Sequence, residues 1–192
     1  MPRYGLVFDL ERCIGCHACT VACKVENSIE QGSLIRVEML DGQPLDTARG
    51  QFPELTMHYL PLTCMHCQDP PCMDVCPTDA IYKRDDGVVI LDISKCNGCQ
   101  VCLTTCPYGV ILWAETTGVA TKCHLCASRI EQGMGPFCVL CCETEAIHFG
   151  DLSDPQSEVS QLIVRRSSYT LKPKEKTGPA VYYLPPLSHR AV

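Results

Sequence analysis

One run of cysteines, Cys96-Asn-Gly-Cys99-Gln-Val-Cys102-Leu-Thr-Thr-Cys106-Pro107, limits what this chain can fold into more than any other feature. Its gaps of two, two and three residues, closed by Cys-Pro, are those with which thiolates hold iron–sulfur clusters. Three thiolates within seven residues wrap a tight loop around three corners of one cubane. The fourth, three residues on, sits on the helix that follows and faces away, so it serves a different cluster. A chain with one such run needs another to exchange cysteines with. This chain has three more. Cys13, Cys16, Cys19 and Cys23 repeat the same gaps. Cys64, Cys67, Cys72 and Cys76-Pro77 widen the second gap with Pro70-Pro71. Cys123, Cys126, Cys138 and Cys142 stretch it to eleven residues.

Seventeen cysteines in 192 residues, about nine per cent, would suggest a disulfide scaffold in a small secreted protein. Here they fall in four tight groups rather than spread along the chain. The opening Met1-Pro-Arg-Tyr-Gly-Leu-Val-Phe-Asp9 has neither a basic start nor a long apolar core, so no secretory leader is expected there. No apolar run reaches the ~18–20 residues that a membrane span needs. The formal charge of −6 disfavours nucleic acid as a partner, since phosphate binding wants a basic face. Arg165-Arg166 is too isolated to change that, and too far along the chain to be a twin-arginine export signal.

Between the cysteines, short elements are expected. Tyr4 to Leu10 reads as a strand feeding the first run, and Ala18 to Glu26 as a helix carrying Cys23. Ser33 to Met39 and Thr56 to Leu60 read as strands. Ala80 to Arg84 and Val88 to Leu91 form a hairpin through Asp85-Asp86-Gly87, and Val110 to Trp113 with Val119 to Lys122 form another near Gly118. Ala127 to Gln132 is a helical turn and Ala146 to Asp151 a strand. Asp154 and Pro155 predict the cap and first turn of a helix over roughly 155–167. Tyr169 to Val192 reads as an arm laid over the domain or a partner, too poor in apolar residues for a core.

Cys13-Ile-Gly-Cys16-His-Ala-Cys19, Cys64-Met-His-Cys67-Gln-Asp-Pro-Pro-Cys72, Cys106-Pro-Tyr-Gly and Phe149-Gly-Asp-Leu-Ser-Asp-Pro, together with the order of the four runs, resemble the four-cluster electron-transfer subunit of the molybdopterin, dimethyl-sulfoxide-reductase-like family. Polysulfide and thiosulfate reductase subunits are nearest in length. The resemblance covers nearly the whole chain. It implies an α+β fold of two pseudo-symmetric bacterial-ferredoxin-like modules, one inserted in the other. Residues 1–59 and 116–150 would form the outer module, 60–115 the inner one, and 151–192 a C-terminal helix and docking tail.

The resemblance also implies four [4Fe–4S] clusters with interleaved ligands. Cys13, Cys16, Cys19 and Cys142 would hold the first, and Cys123, Cys126, Cys138 and Cys23 the second. Cys64, Cys67, Cys72 and Cys106 would hold the third, and Cys96, Cys99, Cys102 and Cys76 the fourth. The partners implied are a molybdopterin catalytic subunit, with molybdenum or tungsten, and an integral-membrane quinone-reactive subunit, as in complexes of anaerobic respiration. The chain would sit at the membrane through them, either in the periplasm by export with a partner or in the cytoplasm. A free polyferredoxin shuttling electrons between soluble enzymes is the alternative.

Taken alone, Cys123-x₂-Cys126 with Cys138 and Cys142 would also suit a zinc ribbon. Beside two regular Cys-x₂-Cys-x₂-Cys-x₃-Cys runs that reading recedes, since zinc has no use for a traded fourth thiolate. Cys141, the seventeenth cysteine, reads as a buried spare thiol, with substitution for Cys142 as the sharper possibility; Glu143 stands where the family usually places proline. His17, His66 and His124 are expected to pack or hydrogen-bond near sulfur rather than ligate. Lys24, Lys95 and Lys122 flank ligands and could offset cluster charge, with Lys95 the plainest candidate for an ordinary solvated lysine. No phosphate-cradling glycine loop and no nucleophile elbow is present, so no catalytic residue is expected: the chain moves electrons and a partner does the chemistry.

Overall fold

The computed structural model describes residues 1–187. It is a mixed α/β fold of small sheets and short helices threaded between cysteine loops. In chain order the elements are β1 (Tyr4–Asp9), α1 (Ala18–Glu26), β2 (Ile35–Met39), β3 (Tyr59–Thr63), α2 (Pro71–Asp74), β4 (Ile81–Lys83) and β5 (Val89–Leu91). Then follow α3 (Val101–Thr105), β6 (Leu112–Ala114), β7 (Val119–Thr121), α4 (Ala127–Glu131), α5 (Phe137–Leu140), β8 (Ile147–Asp151), α6 (Glu158–Arg165) and β9 (Val181–Leu184).

β1 organises the largest sheet, in the order β8-β1-β9. It runs antiparallel to β8, pairing Leu6 with Phe149, and parallel to β9, pairing Leu6 with Val181. Covered on both faces, it is apolar without alternation, as central strands are: Leu6, Val7 and Phe8 are all buried. Leu6 and Phe8 face the main core with Tyr183, while Val7 packs with Val159 and Leu184 under α6. A Cβ at Gly5 would collide with the Ala180 carbonyl and Leu152, so only glycine lets β9 approach so closely.

β2 and β3 form an antiparallel pair whose second strand runs straight into Cys64. The hairpins β4–β5 and β6–β7 share a smaller core of Ile81, Val89, Ile111 and Ala120 with Cys72 and Cys102. Among the described residues no helix is long and apolar enough to cross a membrane.

Three expectations need correction. The strand expected at Thr56 to Leu60 lies at Tyr59–Thr63, where buried Tyr59, Pro61 and Leu62 pack inward. The last helix begins at Glu158, not near 155. Ser157 is its cap, accepting from the Ser160 amide at 3.3 Å, while Asp154 binds the Gln156 amide in a preceding turn. The tail is not only an arm. Val181, Tyr183 and Leu184 are fully buried in the central sheet, because three apolar residues suffice for one short edge strand. The last part of the expected docking tail, 188–192, lies outside the described residues.

Arg166, at the end of α6, fastens that helix to β1. Its guanidinium donates to both oxygens of buried Asp9, at 3.1 and 3.4 Å. Arg166→Ala leaves that carboxylate buried and unpaired, a loss of about 1–3 kcal/mol once the partial exposure of Arg166 is allowed for. An anaerobic urea titration should show the ~400 nm iron–sulfur absorbance disappearing at lower denaturant than in the wild type; an unchanged midpoint would deny the pair a structural role.

Candidate iron–sulfur centres

The four cysteine loops share one backbone device. The residue before each second cysteine, Gly15, His66, Gly98 or Leu125, has positive φ, between 42° and 75°. This left-handed step curls the loop and turns amides toward sulfur. Glycine takes it freely at two of the four positions, whereas His66 and Leu125 are held in it by burial at 1% exposure each. The residues after Cys16 and Cys99, His17 and Gln100, are also left-handed and start α1 and α3. Cys76 and Cys142 match as well: each Sγ lies 3.8 Å from the hydroxyl of the threonine two residues on, Thr78 or Thr144.

The sixteen cysteines of the runs gather in four groups. Cys23, Cys123, Cys126 and Cys138 line one enclosed cavity, whose other walls include Leu6, Leu34, Ile35 and Leu125. Cys64, Cys67, Cys72 and Cys106 line a second, with Met65, Val89, Val110 and Ile111. Cys13 has Cys142 and Cys16 close enough to raise its pKa, and Cys19 has Cys13 and Cys142. Cys102 has Cys99, Cys96 and Cys76. Four thiols around an apolar, enclosed space suit an inorganic core that offers only thiolate-binding irons, so the donor set fits an all-cysteine cluster. Among the described residues no three His, Cys, Asp or Glu side chains converge closely enough to share one bare ion.

Burial pushes the thiols up. Cys19, Cys67 and Cys123 are raised to about 11 and Cys23 and Cys72 to about 12, first by desolvation, with neighbouring cysteines adding to it. Cys138 is raised well above the usual value for the same reason. These buried thiols hold their protons at neutral pH until metal replaces them, so cluster insertion releases protons. Cys76 goes the other way. Burial raises it, but the amides of Thr78, Ile81 and Ala80 and the Thr78 hydroxyl outweigh that and hold it below its usual value.

The groups adjoin in a fixed order. Cys19 and Cys23 lie one turn apart on α1, which packs against α5, the helix that carries Cys138. Cys123 and Cys64 are bridged by the Lys122 ammonium, which donates to the Cys123 carbonyl at 2.9 Å and to Cys64 Sγ at 3.6 Å. Cys72, Cys102, Cys76, Cys96 and Cys106 pack in one small core. The two middle groups line the cavities, whereas each end group carries one exposed cysteine, Cys16 or Cys99.

His66 accepts the Val89 amide on Nδ1 at 3.0 Å and His124 accepts the Ala127 amide at 3.2 Å, so both brace backbone rather than sulfur. The Nε2 of His66 is buried without a partner. Lys95 is solvated beside Asp92 at 3.7 Å. Cys141 is half-buried, more open than the expected buried thiol.

Several supports around the sulfurs carry no signal in the sequence. Asn27 Nδ2 donates to the Cys23 carbonyl at 2.8 Å and reaches its Sγ at 3.5 Å. The tail clasps the Cys64–Cys67 loop. The Gln68 and Asp69 amides donate to the Gly178 and Thr177 carbonyls at 2.8 and 3.0 Å, and the Ala180 amide to the Met65 carbonyl at 2.8 Å. The Thr177 hydroxyl meets Tyr108 at 2.7 Å and bonds Cys67.

A fold of short elements around thiol-lined cavities defines an iron–sulfur protein. Two stretches, residues 12–80 and 55–152, each match a 4Fe-4S dicluster domain. The chain is 42% identical to a subunit of the sulfite dehydrogenase of Allochromatium vinosum, over 96% of this chain and 84% of that protein. It is 40% identical to a subunit of the tetrathionate reductase of Salmonella typhimurium, over 95% and 72%. Against the arsenate respiratory reductase iron–sulfur subunit of a Shewanella strain it is 34% identical, over 95% and 96%. The chain therefore belongs to the 4Fe-4S dicluster family, among the iron–sulfur subunits of dimethyl-sulfoxide-reductase-like complexes. Its two dicluster domains account for four [4Fe–4S] clusters, and it is an electron-transfer component rather than a catalytic subunit.

Proposed function

We propose that the chain relays electrons between a molybdopterin catalytic subunit and a quinone-reactive membrane subunit, through clusters held by the four cysteine quartets named above. When bound, each cluster supplies a one-electron redox site. The chain's own work is to hold, insulate and space those sites. The observation that carries the reading is the order of the quartets. They adjoin one after another, the inner two enclosed and the outer two each opening to the surface at one cysteine, Cys16 or Cys99.

Both ends also present apolar side chains to solvent, as a surface meant to be covered does. Ile14, Val21 and Val25 flank the first quartet, and Ile93 and Val101 the last. We assign the Cys16 end to the catalytic subunit and the Cys99 end to the membrane subunit, through which the complex is held at the membrane. Residues 60–115 are assigned as a module inserted in one made of 1–59 and 116–150. The matched loops at Gly15 and Gly98, and at Cys76 and Cys142, support this.

Cys96→Ser tests the direction of the wire. In the native complex it should abolish quinol-coupled turnover while dye-driven substrate turnover survives. Loss of both activities would contradict the assignment of ends.

A further inference from the structure

Lys122 carries a buried charge that a simple relay does not require. It is only 3% exposed. Its ammonium donates to the Cys123 carbonyl at 2.9 Å, to the Val89 carbonyl, and to Cys64 Sγ at 3.6 Å. Those three acceptors take all three of its N–H donors, so the head group is fixed in place. Among the described residues no carboxylate pairs with it. A buried ammonium is costly unless negative charge lies close, and with the clusters bound the negative charge at hand is that of their thiolates. Cys64 and Cys72 stand in one central quartet and Cys123 in the other, and the ammonium reaches both, at the Cys64 sulfur and the Cys123 carbonyl. The charges that bear on Cys13, Cys19 and Cys102, in the end quartets, are those of other cysteines.

We infer that Lys122 is a positioning residue for electron transfer across the middle of the relay: one fixed positive charge, shared by the two central clusters, that raises the reduction potential of both and keeps them matched. Reduction adds negative charge, and a nearby cation stabilises the more negative state. The inference rests on the quartets proposed above.

The test is an anaerobic redox titration of the native, cluster-loaded complex followed by EPR, with iron counted in every sample. In Lys122→Met and Lys122→Gln, two of the four reduction steps should move to more negative potential while the other two stay. Lys122→Arg, which keeps the charge, should hold all four near their wild-type values. With iron intact, four unmoved potentials, four shifted alike, or an arginine variant shifted as far as the methionine one would each overturn the inference and leave the quartets standing. Iron lost from both neutral variants but kept in Lys122→Arg would assign the ammonium to cluster assembly and overturn the tuning role. Wild-type complex with far less than about sixteen irons in this chain would instead overturn the quartet assignment itself.

Discussion

Cys142→Ser is expected to remove one whole cluster, about four of about sixteen irons, and Cys141 will not restore it. Cys142 stands beside Cys13 and Cys19, and its sulfur is already aimed: the Ala146 amide donates to it at 3.2 Å and the Thr144 hydroxyl lies at 3.8 Å. Cys141 is one residue earlier, at the end of α5, with its amide bonded to the Phe137 carbonyl. One residue along a helical turn rotates the side chain by about 100°, so reaching the same corner would mean unwinding that turn and breaking the Cys141 amide bond to Phe137. The missing proline at Glu143 does not change this, because Glu143 is exposed and points no constraint at the quartet. Iron and sulfide assays with EPR on the anaerobically purified variant check the outcome. A full iron complement with a shifted signal would mean that Cys141 substitutes after all.

The second large effect is expected at Tyr183. Its ring is fully buried between Phe8, at 5.4 Å between centroids, and Tyr169, at 5.8 Å, and its hydroxyl donates to the Pro61 carbonyl at 2.9 Å. Tyr183→Ala removes a large core side chain and leaves that carbonyl without its donor, a loss of about 3–5 kcal/mol. The damage should reach the metal. β9 carries on from the 177–180 segment that clasps the Cys64–Cys67 loop, so loosening the strand loosens that loop. The variant should bleach faster on mild heating, with the absorbance near ~400 nm falling before the wild type's does. Tyr183→Phe keeps the ring and should lose only about 0.5–1.5 kcal/mol. If Tyr183→Ala bleaches at the wild-type rate, the tail is not part of the cluster-bearing body.

The cysteine loops are legible in the sequence and the role of the tail is not, and the difference is one of range. A cluster loop is written locally: Cys13, Cys16 and Cys19 must lie close in sequence to wrap one cubane, and the helix at Ala18–Glu26 follows at once. The hairpins around Gly87 and Gly118 are local too, and form where their turn residues place them. β9 is decided by a partner more than 170 residues away. Val181-Tyr-Tyr-Leu184 carries no sign that Gly5 has cleared space for it beside β1. Tyr59–Thr63 is displaced from its expected place for a similar reason, since its register answers to Ile35–Met39 rather than to its own composition.

The sites divide the same way. Which residues are cysteines is plain, and the class of protein follows from their spacing. What surrounds each sulfur is not. Asn27 at Cys23, Thr177 at Cys67 and Lys122 at Cys64 reach their sulfurs by helix geometry or by long-range packing. Lys122 does stand out as a flanking charge, and Lys95 is left in solvent as expected, but nothing in the sequence says that Lys122 is buried against Cys64. Burial makes the difference, and burial is a property of the whole chain.

The central claim is that sixteen cysteines, gathered in four quartets, hold four cubane clusters. The most direct measurement is the metal and acid-labile sulfide content of the protein purified without oxygen, read together with its Mössbauer spectrum. About sixteen irons and about sixteen sulfides per chain, with a spectrum of [4Fe–4S] centres alone, is the predicted result. About eight irons or fewer, with zinc making up the difference, would contradict it.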